Sequence, residues 1–218
     1  MEDEIGEEVH AKLMEGFGLE TEPWAQERVG RTMERLNRVR LACAQPGACS
    51  HALTAEILWL QEANAFTLPG RYLYITRRLL ERAASDEPVA FVLAHELAHH
   101  DLGHVRLLRP ALERLGKTVG TAIGGLLRHA ERLLYSPEQE RAADAYALDL
   151  CLAAGYAPAS CLTLFEILEA ELLDSGDVSG VFGLDSPSAL WEKLRGYPSL
   201  RDRKTALQTH LRTEYGTP

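Results

Sequence analysis

The sequence has no excess of basic charge: 23 Lys and Arg stand against 32 Asp and Glu, a formal net charge of −9 over 218 residues. No run of Lys and Arg supplies the positive stripe that neutralises phosphates, so nucleic acid is excluded as the partner. Long apolar runs are missing too. The longest weakly polar stretch, residues 118–127, falls well short of the roughly 20 residues needed to cross a bilayer and is flanked by Lys117 and Arg128, so no transmembrane segment is expected. The opening Met1-Glu2-Asp3-Glu4 has neither the basic nor the apolar part of an export signal. The expectation is a cytoplasmic protein, or a periplasmic or secreted one if the sequence is a trimmed form. Cysteine is scarce, with four residues in two close pairs, Cys43 with Cys49 and Cys151 with Cys161. Neither pair has CxxC-like spacing or histidines in register, which argues against a thiolate metal site. Without an export signal, reduced thiols are expected rather than disulfides.

What the chain does have is the balance of an ordinary globular protein, 46% hydrophobic and 25% charged. No composition shift or Ser/Gly-rich linker divides it, so residues 1–218 read as a single domain. Within it, residues 89–104 read V-A-F-V-L-A-H-E-L-A-H-H-D-L-G-H. On a helix His95 and His99, four residues apart, lie about 40° apart around the axis and one turn along it, so both imidazoles reach one metal ion. Glu96 lies about 100° round from His95, placed to hold a water at the metal without being a ligand. Six apolar residues, 89–94, lead straight into this HExxH motif. Such a helix is buried, and two imidazoles and a carboxylate buried there are costly unless a metal or hydrogen bonds satisfy them. Ser85 or Asp86 suits its start and Gly103 its end.

Upstream, residues 4–16 and 22–43 read as amphipathic helices, the second with a stripe of Val29, Met33, Leu36 and Val39. Residues 56–60, 64–68 and 71–76 alternate as strands, with Pro69-Gly70 turning between the last two, which predicts a small antiparallel sheet. Residues 105–134 read as helical but weakened by Gly116, Gly120, Gly124 and Gly125: two helices or a mobile lid. Ser136-Pro137 starts a helix running to about residue 154. Another helix spans residues 159–173, a Gly- and Asp-rich loop residues 175–188, and a last helix follows Pro198-Ser199.

A catalytic zinc takes three protein ligands and keeps one open position. A metzincin would add a glycine and a histidine downstream of His99, but Leu102 and Val105 hold those places. His100 and His104 on a continued helix point well over 90° away from the His95 and His99 pair, and read as surface or outer-sphere residues. The better third ligand is Glu140, with Asp144 one turn on to accept a hydrogen bond from the outer nitrogen of a zinc histidine. The small residues Ala142, Ala143 and Ala145 favour close approach of the two helices.

With these motifs in place, the chain resembles the gluzincin metallopeptidases of the HtpX, BepA, Oma and CAAX prenyl protease type (peptidase family M48). The resemblance rests on Asn64-Ala65-Phe66-Thr67-Leu68-Pro69-Gly70, on His95-Glu96-Leu97-Ala98-His99 with His104 after it, on the run from Ser136 through Glu140 to Asp144, and on Tyr197-Pro198-Ser199 with Arg203. It implies a mainly helical, zincin-like α+β fold with the HExxH active-site helix. It also implies zinc, one ion per chain, on His95, His99 and Glu140, with Glu96 activating water. Asn64, Ala65, Phe66 and Thr67 would form the sheet edge beside the cleft, where an extended polypeptide substrate adds as a strand. With no spanning helix, the chain resembles the soluble branch. It departs from the family pattern at Arg71 (usually Gly), Pro137 (usually Arg) and Tyr197 (usually His). The last bears on catalysis, because a phenol can donate a hydrogen bond to a developing oxyanion as an imidazole can, with Arg203 adding a fixed positive charge nearby. The expected activity is zinc-dependent endopeptidase hydrolysis, in which Glu96 takes a proton from water and returns it to the leaving amine, in a role such as protein quality control. The alternative is a zinc-stabilised binding or chaperone-like module without turnover, for which a carboxylate at position 96 has no physical use.

Overall fold

A helix with no polar face has to sit at the centre of whatever folds around it, and that decides the architecture here. In a computed structural model of the chain, residues 2–43, 51–108, 135–174 and 198–216 are described. Helices α1 (Glu2–Gly16) and α2 (Pro23–Ala42) come first. Strands β1 (Thr54–Leu58), β2 (Ala65–Thr67) and β3 (Tyr72–Thr76) follow, and then helices α3 (Arg77–Arg82) and α4 (Asp86–Asp101). After a 3-10 turn over His104–Leu108 come α5 (Pro137–Ala153), α6 (Pro158–Cys161), α7 (Leu164–Asp174) and α8 (Leu200–Tyr215). In α4 every residue from Pro88 to His99 is buried. It packs along α5 as its main neighbour, with α2, β2, α6 and α7 closing the other sides.

The sheet is mixed rather than antiparallel throughout. Its order is β1-β3-β2, with β2 antiparallel to β3 and β1 parallel to it. The Pro69-Gly70 turn, with Gly70 at φ +90°, makes the β2–β3 hairpin as expected. β1 takes the other side of β3 and runs in the same direction. Alternation along a strand specifies which face each side chain takes, not the direction of the neighbour, which is why the parallel pair was not legible. The free side of β1 is closed by an antiparallel bridge of Leu19 with Leu58, where Glu20 N donates to Ile57 O at 2.8 Å and Trp59 N to Gly18 O at 2.9 Å.

Local chemistry accounts for the element ends. Ser136 opens α5 through a capping box with Gln139, with Pro137 at the first helical position, and Ser199 opens α8 through a capping box with Asp202. Gly103 at φ +73° and Gly155 at φ +77° turn the chain out of α4 and α5. The helix expected over residues 159–173 breaks at Leu162 into α6 and α7. The main core joins α2, the sheet, α4, α5, α6, α7 and α8. A second cluster gathers Val9 and Leu13 of α1 with Leu58, Phe66, Leu68, Tyr74 and Tyr135. There α1 crosses the hairpin turn so closely that a Cβ on Gly6 would lie 2.0 Å from Pro69 O. Cys151 and Cys161 are buried thiols and Cys43 an exposed one. The segment read as a lid, apart from residues 105–108, lies outside the described residues, as do the 175–188 loop and Cys49.

Candidate metal centre

Because α4 is helical through the motif, His95 and His99 lie one turn apart with their rings edge-on at 78°, and their Nε2 atoms come to 3.0 Å from each other. Helix α5 packs against them and presents Glu140 from its first turn. One Glu140 oxygen lies 3.5 Å from His95 Nε2 and the other 3.5 Å from His99 Nε2. Close approach of α5 comes from Ala143 and Ala147, both fully buried, whereas Ala142 faces outward. His95, His99 and Glu140 are 3%, 0% and 0% exposed, and among the described residues they are the one group whose ligand atoms could hold a metal ion.

The donor set fits zinc. Ligand bonds of about 2.0–2.2 Å in tetrahedral geometry put ligand atoms roughly 3.3–3.5 Å apart, close to the separations observed. Both oxygens of Glu140 are buried and accept no hydrogen bond. A carboxylate in that condition is costly unless a cation compensates it. Arg203 contributes one such charge, with Nη1 3.1 Å from a Glu140 oxygen.

Behind the ligands lies a chain of charges. His95 Nδ1 is 3.1 Å from Asp144 Oδ1. Arg203 grips Asp144 in a two-pronged pair, Nε to Oδ2 at 2.7 Å and Nη2 to Oδ1 at 2.6 Å. Burial pushes the Asp144 pKa up, but the Arg203 charge and hydrogen bonds, with His95, outweigh it and hold the carboxyl down at about 2. Burial disfavours a charged His95, yet Asp144 and Glu140 together carry its pKa well above the usual imidazole range. His99 goes the other way, lowered by burial and by the neighbouring His95 and His104.

Glu96, the expected base, is 1% exposed and directly follows His95 in α4. Arg203, expected near the reacting centre, lies in the first turn of α8, its guanidinium engaged with Asp144 and Glu140. Tyr197 lies outside the described residues. Asn64 leads into β2, which carries Ala65, Phe66 and Thr67 and among the described residues pairs with β3 alone. Thr76 N donates to Asn64 O at 2.9 Å and Leu68 N to Tyr72 O at 2.8 Å. This register turns the backbone groups of Ala65 and Thr67 away from β3. The Ala65 amide is already taken by Asn64 Oδ1 at 2.8 Å. Ala65, Phe66 and Thr67 are buried, and Thr67 Oγ1 bonds His100 Nε2 of α4.

Sequence reasoning missed Tyr135, whose ring stacks on His99 with centroids 3.8 Å apart and planes at 14°. Its position directly before the capping residue of the helix that bears Glu140 was the available signal. His104 returns over the end of α4, its Nδ1 3.0 Å from His99 Nδ1.

The sequence pattern of peptidase family M48 matches residues 31–211 of this chain. The chain is also similar to metalloprotease LoiP of Escherichia coli (strain K12), at 28% identity over 165 residues. That alignment covers 69% of this chain and 62% of the relative, so the chain spans about 62% of the length of the curated protein it matches. Among the described residues no helix is long and apolar enough to cross a membrane.

Proposed function

Since the chain belongs to peptidase family M48, we propose that it is a zinc-dependent metalloendopeptidase that hydrolyses peptide bonds. The observation that carries this reading is the convergence of His95, His99 and Glu140 with Glu96 buried beside them on the same helix. Held by those three ligands, zinc would supply Lewis acidity and bring the pKa of a water molecule toward neutrality. Glu96 takes the proton of the attacking water and delivers it to the leaving amine. Asp144 accepts the outer N–H of His95 and turns its Nε2 lone pair toward Glu140, while Arg203 holds both carboxylates in place. An extended polypeptide lies along β2, where the Ala65 carbonyl and the Thr67 amide and carbonyl are the outward-facing groups. Unfolded polypeptides suit such backbone recognition, which supports a role in protein quality control. A zinc-held binding module without turnover gives buried Glu96 no task.

Tyr197, which precedes Pro198-Ser199 in the sequence, is the proposed donor to the oxyanion. Losing such a donor costs about 100- to 1,000-fold in turnover, so Tyr197→Phe is expected to lower kcat with zinc content and KM unchanged. Unchanged kcat returns the position to packing. The whole reading is tested by metal analysis of the purified protein combined with cleavage of an unfolded substrate such as casein. One zinc per chain together with cleavage is expected, and a folded protein that neither binds zinc nor cleaves overturns it.

A further inference from the structure

We infer that His104 is a positioning residue for the metal ligand His99: it accepts the Nδ1 proton of His99 and so keeps the Nε2 lone pair aimed at the metal position. The inference rests on the metal reading above.

The tautomers follow from distances. His99 Nε2 faces His95 Nε2 at 3.0 Å and Glu140 at 3.5 Å. To bind a metal there it must be unprotonated, and a neutral imidazole then carries its one proton on Nδ1. That Nδ1 lies 3.0 Å from His104 Nδ1. Two N–H groups cannot face each other at this distance, so His104 offers a lone pair at Nδ1 and keeps its own proton on Nε2. Tyr135, stacked on His99 at 3.8 Å, blocks rotation of the ring out of this bond.

The backbone is built for this contact. On a continued helix, residue 104 would point about 140° away from residue 99. Instead α4 stops at Asp101, Leu102 N closes onto Ala98 O at 2.8 Å, and Gly103 at φ +73° swings the chain back so that His104 meets His99. A left-handed residue is what that reversal requires, and glycine adopts it without strain.

The two ligand histidines are therefore held by different acceptors. His95 has a carboxylate, Asp144, charge-matched by Arg203. His99 has a neutral imidazole, which orients the ring without bringing another negative charge into a buried site.

The test measures zinc dissociation constants by chelator competition at fixed pH, on the full chain, for wild type, His104→Asn and His104→Leu. Asparagine places an acceptor oxygen about where Nδ1 sits, whereas leucine fills the space without one, with His104→Ala taking its place should the leucine variant not fold. Removing an outer-sphere partner typically weakens affinity about 10- to 100-fold. That loss is expected for leucine or alanine, with asparagine within a few-fold of wild type. Leucine or alanine binding as tightly as wild type overturns the inference, and so does an asparagine variant as weak as the apolar one. Wild type that binds no zinc overturns the metal reading itself, an outcome distinct from either.

Discussion

At the scale of single residues, the proposed ligands and the groups proposed to orient them predict different losses. Glu140→Ala removes a ligand and is expected to abolish stoichiometric zinc. Asp144→Asn keeps all three ligands and should weaken zinc affinity about 10- to 100-fold. Equilibrium dialysis separates the two, and full zinc retention by Glu140→Ala would remove Glu140 from the ligand set. Part of this was legible in the sequence. The relation of His95, Glu96 and His99 is fixed by helical geometry over five residues, and Glu140 with Asp144 repeats that logic on a second helix. His104 read in the sequence as a surface or outer-sphere histidine, because its contact with His99 depends on Gly103 ending the helix two residues after Asp101. Tyr135 had only its place before the capping residue Ser136 to mark it, since its stacking on His99 is a product of tertiary packing.

At the scale of elements, the site depends on the register of α4 against α5, and three successive residues at the end of α4 secure it from three directions. His99 faces Glu140 and His104, and His100 bonds Thr67 of β2. The Thr67 hydroxyl donates to Tyr72 O at 3.1 Å, so His100 Nε2 is the donor in that bond. Asp101 accepts both prongs of Arg40 from α2, each at 2.7 Å, and the Tyr146 hydroxyl from α5 at 2.6 Å. The Arg40 and Asp101 side chains are 1% and 3% exposed. Breaking one partner of a buried pair costs about 3–5 kcal/mol, so Asp101→Ala is expected to lose that much stability in urea unfolding. A loss below about 1 kcal/mol, the range of an exposed pair, would show that the junction does not hold the helices together. Residues about 100° apart on a helix necessarily face different neighbours, but which neighbours they meet was invisible until the sheet and α2 were placed. The direction of β1 was hidden for the same reason.

At the scale of the whole molecule, the described elements pack around α4, and α8 returns from the end of the chain to place Arg203 on both site carboxylates. A ligand that binds only the folded chain stabilises it by mass action, about 2.7 kcal/mol at 100 times its dissociation constant. Chelator is therefore expected to lower the Tm, and added zinc to restore it, in one cooperative transition for the proposed single domain. A Tm unmoved by chelator and by zinc would contradict a site shared between α4 and α5. The α+β class and the order of the described helices were legible because amphipathic periods and capping residues are local signals. The packing of α1 over the hairpin turn at Gly6 was not, because it depends on a close approach between distant segments.

Activation of water by Glu96 at the metal centre is the step on which the proposed activity turns. It is tested most directly by comparing wild type with Glu96→Gln, measuring zinc content and casein cleavage on the same preparations. The amide preserves the size of the side chain but cannot take a proton. Equal zinc is expected, about one per chain, with cleavage by wild type and none by the variant. Cleavage by Glu96→Gln at the wild-type rate would contradict that step.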